Sequence, residues 1–198
     1  MAVAAFMLAH QVAGKAARDA LFLAEFEARD LPKIVAVAAF VAIAAAFAFS
    51  RGLARVGPRV IVPLSFLASG VLHVAEWLML EHWPRAVVVL TYLHIVGLGA
   101  ILLSGFWALA SEMFDPREAK VRFGRIAGVG TAGGIAGGLL AERTAAWFST
   151  PAILVLLAVL HLACGALLWV MRREAETPGP RAPEKLPSRR AVFQGAPY

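Results

Sequence analysis

Apolar residues run along this chain in long blocks, separated by short stretches that hold most of the charge. Crossing the hydrocarbon core of a bilayer takes about 20 residues of helix. Six blocks approach or exceed that length, at 2–26, 34–49, 60–80, 85–114, 121–141 and 151–170. Helix signals fall between them. Asp30-Leu31-Pro32 precedes the second block, Pro58 opens the third, Glu81-His82-Trp83-Pro84 divides the third from the fourth, and Arg172-Arg173 stops the sixth. The pattern predicts an all-α membrane protein with six transmembrane helices over residues 1–173. Residues 174–198, proline-rich and charged, read as a flexible cytoplasmic linker or tail.

Composition strengthens this reading. Of 198 residues, 60% are hydrophobic and 16% charged, whereas a soluble domain carries about 25% charged residues. A net charge of +6 would suggest a nucleic-acid partner in a soluble protein, but there is no basic-aromatic interleaving outside the tail, so none is assigned. The basic residues mark topology instead. Thirteen fall in the loops of one side (residues 51–59, 117–125 and 172–190) and four on the other (Arg29, Lys33, Arg85 and Arg143). An excess of lysine and arginine faces the cytoplasm, so both termini are placed there, and the lipid bilayer is the first partner. The single cysteine, Cys164, lies in an apolar run and excludes a disulfide framework.

The fifth block differs from the rest. Gly124, Gly128, Gly130, Gly133, Gly134, Gly137 and Gly138 recur at GxxxG-like spacings, which make a flat seam where a neighbouring backbone can approach closely. Just before it, Asp115-Pro116-Arg117-Glu118-Ala119-Lys120 forms a charged turn. Asp115 and Glu118 suit a helix cap, while Arg117 and Lys120 suit a cytoplasmic hinge whose ion pairs lock one state of a moving bundle.

Candidate chemistry begins on the first helix. Gln11, Lys15, Arg18, Phe22 and Glu25 follow a 4-3-4-3 spacing along one face, with Asp19 beside it. A charged side chain at mid-membrane costs roughly 2.5–3.5 kcal/mol, so Lys15, Arg18 and Asp19 cannot all face lipid. Lys15 and Asp19, at i,i+4, are placed to pair, leaving Arg18 for an anion in a central aqueous cavity. Snorkelling to the interface is the plainer alternative. His73 and Glu76 share a face of the third helix, and Thr91, Tyr92 and His94 add polar groups on the fourth. These suit a polar network, a substrate path or simple helix-to-helix hydrogen bonds. His161 lies within the sixth helix. With no HxxxH or HExxH pair, and with the histidines spread over separate helices, no metal or cofactor is assigned. No nucleophile–base set or phosphate-binding glycine loop is present, so no enzymatic activity is expected.

Two strings, GKAARDALFLAEFEARDLP and FWALASEMFDPREAKVRFGRIAGVGTAGGIAGGLLA, together resemble the ADP/ATP carrier-like nucleotide transporters of bacteria and plastids, relatives within the major facilitator superfamily. The resemblance covers most of residues 10–145. It implies a twelve-helix transporter of the bacterial inner membrane, of which this chain is the amino-terminal half, built as two inverted three-helix repeats around a substrate cavity. It also implies that the first and fourth helices line that cavity and that Arg18, in the Arg18-Asp19 pair, contributes to nucleotide binding. VFQGAPY then resembles the opening of a seventh helix. The expected function is half of a secondary transporter for an anionic solute, with nucleotide exchange as the class the resemblance implies. Lys15, Arg18, Asp19, His73, Glu76, Tyr92 and His94 are its expected substrate-site residues, and a second six-helix half or a second copy of the chain its expected partner. Two other classes remain open: a non-transporting membrane anchor that assembles through the glycine seam, and a membrane-embedded metal or redox protein built on His73, His94 and His161.

Overall fold

The structure, a computed structural model, describes residues 1–113 and 116–176, excluding the side chains of residues 113–121 and 174–176. The described residues form six α-helices: α1 (Ala2–Glu25), α2 (Leu31–Val56), α3 (Pro58–Met79), α4 (Pro84–Met113), α5 (Pro116–Trp147) and α6 (Ala152–Glu176). A 3₁₀ turn at Ala28–Asp30 joins α1 to α2. Asp115 and residues 177–198 lie outside the described residues, as do the side chains of Arg117, Glu118 and Lys120. The hinge and the linker expected from sequence lie largely there.

Local signals explain the breaks. Gly57 has φ +86 and its N–H bonds the Leu53 carbonyl, closing α2. A side chain there would be strained. Pro58 then starts α3 at a position that needs no N–H donor. Pro84 and Pro116 open α4 and α5 in the same way. Both α2 and α5 run beyond their predicted blocks, because α2 continues through Arg51 and Arg55 and α5 through Glu142 and Arg143. Charges at a helix end reach polar surroundings without ending the helix.

Among the described residues four helical stretches are long and apolar enough to cross a membrane: Ala28–Val56, Pro58–Met79, Pro84–Glu112 and Ala152–Arg173. The charge-bearing α1 and the glycine-rich α5 fall outside that set, and these two are packed closely on each other. The other main packed pairs are α3 with α6, α1 with α6, α3 with α4, α2 with α4, α1 with α4, α5 with α6 and α2 with α3. Exchanging α1 with α4, α2 with α5 and α3 with α6 maps this set of pairs onto itself.

The interior has two apolar layers. One gathers Ala13, Ala17, Leu21, Phe22, Tyr92 and Leu154. The other gathers Met7, Phe66, Leu102, Phe106, Cys164 and Leu168. Along α1, between Met7 and Ala13, and along α6, between Leu157 and Cys164, a short interval separates the residues of one layer from those of the other. His10 and His161 occupy those intervals.

Candidate functional site: a buried histidine layer

His10 on α1, Ser69, His73 and Glu76 on α3, His94 on α4 and His161 on α6 meet in the bundle interior. None is more than 6% exposed. Glu76 is the centre. Its Oε2 lies 2.7 Å from His73 Nδ1 and its Oε1 2.8 Å from His94 Nδ1. Beyond His73, the two Nε2 atoms of His73 and His10 approach to 2.9 Å. Beyond His94, Nε2 lies 2.7 Å from Ser69 Oγ, which in turn lies 2.8 Å from His161 Nδ1. The ends of this chain come back together, since the rings of His10 and His161 stack with centroids 3.3 Å apart. Phe66 caps His161 edge-on.

Hydrogen-bond directions follow from the inventory of donors. With Glu76 ionised and four neutral rings, both Nδ1–H groups of His73 and His94 donate to the carboxylate. His73 Nε2 then accepts from His10 Nε2–H, which leaves His10 Nδ1 bare. His94 Nε2 accepts from the Ser69 hydroxyl, Ser69 Oγ accepts from His161 Nδ1–H, and His161 Nε2 is left bare. Those two atoms, with Thr91 Oγ1, are the buried side-chain polar atoms without a partner among the described residues. Each such orphan costs about 1–3 kcal/mol.

The expected site residues divide into two groups. His73, Glu76 and His94 belong to the buried layer. Arg18, Asp19 and Tyr92 form a second group, in which Arg18 Nε bonds Asp19 Oδ1 at 2.9 Å and the guanidinium lies 4.9 Å from the centre of the Tyr92 ring. Phe22 packs edge-on against that ring. The structure therefore pairs Asp19 with Arg18, where the i,i+4 spacing had pointed to Lys15. The guanidinium reaches its neighbour and stacks on Tyr92 in one pose. Lys15 is exposed on α1 and makes no ion pair among the described residues. Gln11 donates to the Gly99 carbonyl at 2.7 Å and ties α1 to α4.

Sequence reasoning missed His10 and Ser69. Both carry a usable signal, a polar residue inside an otherwise apolar helical stretch, and Ser69 lies one turn before His73 on the same face. Separate helices give no sign in sequence of how close their histidines lie; α1, α3, α4 and α6 bring four of the chain's five histidines together. Elsewhere, a cleft of about 690 Å³ opens where α1 ends, lined by Glu25, Glu81, Trp77 and Ser149 among others. Its two carboxylates make it a poor receptor for an anion.

Comparison with known proteins gives one family match. A model described as Major Facilitator Superfamily matches residues 24–196. No curated protein and no solved structure matches the chain significantly.

Proposed function

We propose, from the premise that this chain belongs to the Major Facilitator Superfamily, that it is a six-helix half of a secondary transporter and that its solute is an anion. The family accounts for transport rather than catalysis. The reading of the solute rests on one observation: α1 exposes Lys15, without an ion-pair partner among the described residues, one turn from Arg18, whose guanidinium is held by Asp19 and Tyr92. An exposed ammonium on a helix within the bundle needs water or an anion. Arg18 offers nitrogens to a phosphate or carboxylate and is oriented in advance by its two neighbours. Nucleotides are the class that the resemblance in 10–145 suggests.

In this reading all six helices span the membrane, and the cavity face of α1 closes against a second six-helix half or a second copy of the chain. The exchange symmetry of the packed helix pairs supports two related three-helix units. Rigid-body rocking of one bundle against another would expose the face of α1 to each side in turn. The cytoplasmic placement of the basic loops belongs to the same proposal.

The test is uptake of labelled ATP, and of a labelled dicarboxylate, by proteoliposomes containing the full assembly and preloaded with unlabelled solute. Lys15→Ala and Arg18→Ala should each reduce anion uptake by at least about tenfold, which corresponds to about 1.4 kcal/mol. Full uptake in both variants, or equal uptake of an uncharged nucleoside, would remove the anion assignment.

A further inference from the structure

The buried layer lies apart from the Lys15–Arg18 face and is not needed for the reading above. Three of its features call for a different explanation. Four imidazoles in a dry interior are costly unless each nitrogen is used, yet His10 Nδ1 and His161 Nε2 are not. The rings of His10 and His161 stack with centroids 3.3 Å apart, which brings His161 beside the His10–His73 contact. The carboxylate of Glu76 grips His73 through Nδ1 and leaves Nε2 turned toward His10. Carboxylate–histidine pairing of this kind fixes the tautomer and ring orientation of a metal-bound imidazole.

We propose that His10, His73 and His161 are the ligands of a divalent first-row transition-metal ion resident within the bundle, with Glu76 as the positioning residue for His73. The three rings offer ligand nitrogens within 4.8 Å of one another. A tetrahedral zinc ion with bonds of about 2.0–2.1 Å holds its nitrogens about 3.4 Å apart, so rotations that move each nitrogen by about an ångström close the set. The proton balance is simple. Moving the His10 proton from Nε2 to Nδ1 bares Nε2 on both His10 and His73 and gives the orphan Nδ1 its proton. His161 Nε2 is already bare. Imidazole donors favour zinc, copper, iron or nickel over magnesium or calcium, and Glu76 offsets one of the two buried positive charges. Three protein ligands leave a fourth position for water.

The ion would tie α1 and α3 to α6, joining the first three helices to the last three. Such a tie suits a half-bundle that moves as a unit. It makes the ion a structural resident rather than cargo, because the apolar layers on either side seal it in.

The experiment uses the full chain in detergent, purified through a histidine-free affinity tag, loaded with Co²⁺ or Zn²⁺, desalted and assayed for metal. The wild type and His82→Gln, which alters the exposed fifth histidine, should each retain about one equivalent. His73→Gln and His161→Gln should retain at least about tenfold less, and Glu76→Gln should weaken affinity by about 10–100-fold. Equal retention in every variant would place the metal on the surface, and no retention by the wild type would remove the site; either result overturns the proposal. If the histidine variants fail to fold, the cobalt-loaded wild type decides alone. Intense visible d–d bands of a tetrahedral centre support the site, and their absence overturns it.

Discussion

At Glu76 one carboxylate accepts from two imidazoles while being 1% exposed. Glutamine has the same shape but turns one acceptor into a donor, which then faces an N–H with nothing to accept it. Glu76→Gln should therefore destabilise the bundle by roughly 1–3 kcal/mol, measured as a lower melting temperature in detergent. An unchanged melt would mean that the carboxylate is not accepting from both rings. Cys164 is equally enclosed. It is fully buried and its thiol faces the Val3 carbonyl at 3.6 Å. A maleimide should leave it unlabelled until the bundle is unfolded, and labelling of the folded protein at the rate of a free thiol would contradict the packing of α6 on α1. At this scale the sequence showed the His73–Glu76 pair, because i,i+3 spacing alone places both on one face. It could not show His10 against His73, whose 63-residue separation is bridged only by the packing of α1 near α3.

Among elements, the glycine helix is resolved into glycines that pack and glycines that do not. A Cβ at Gly133 would strike the backbone of Ala5, and one at Gly137 the backbone of Ala9. These positions repeat every four residues on both α5 and α1, so the two helices meet backbone to backbone. A Cβ at Gly130 or Gly138 would make an ordinary contact with Leu8 or Val12 and one at Gly134 a tighter contact with Val12, while at Gly124 and Gly128 it would meet nothing within 4 Å among the described residues. A single-residue contrast follows. Gly137→Ala should lower the melting temperature markedly, by the equivalent of about 2 kcal/mol or more. Gly128→Ala should be neutral or stabilising by up to about 1 kcal/mol, since alanine is the better helix former. Equal effects from the two would refute the α1–α5 contact. A matched pair joins α3 to α6: Leu162 overhangs Gly70 and Leu67 overhangs Gly165, with side-chain atoms 2.7 and 2.6 Å from an added Cβ. The seam was legible in the GxxxG spacing. Which glycines face a neighbour was not, since adjacent glycines such as Gly133 and Gly134 differ by about 100° around the axis.

For the whole molecule, orientation is the property most open to a direct check. The asymmetry of thirteen basic residues against four predicts that a reporter fused after residue 173 reads cytoplasmic and one inserted near residue 82 reads external. Replacing Arg51, Arg55 and Arg59 by alanine should produce a mixed population. Reporters with the opposite pattern would invert the topology and, with it, the side on which Lys15 is first exposed. The same bundle also separates two tasks in space. In the proposed reading the charged face of α1 meets the solute, while the buried histidine layer would tie α1 and α3 to α6.

The sequence by itself determined the six helices, their breaks and the membrane class. Those depend on local hydropathy, on Gly57 and on prolines at helix starts, all of which act within a few residues. It also placed Lys15, Arg18 and Asp19 on one helix near one another. Only the tertiary structure decided that Arg18, not Lys15, holds Asp19 and that Tyr92 lies beneath Arg18. The same packing gathers His10, His73, His94 and His161 around Glu76 and Ser69. The physical reason is that a helix fixes which residues share a face but not which face another helix covers. That choice depends on the close approach allowed by Gly133 and Gly137 and by Gly70 and Gly165, and on burying polar groups where they can satisfy one another.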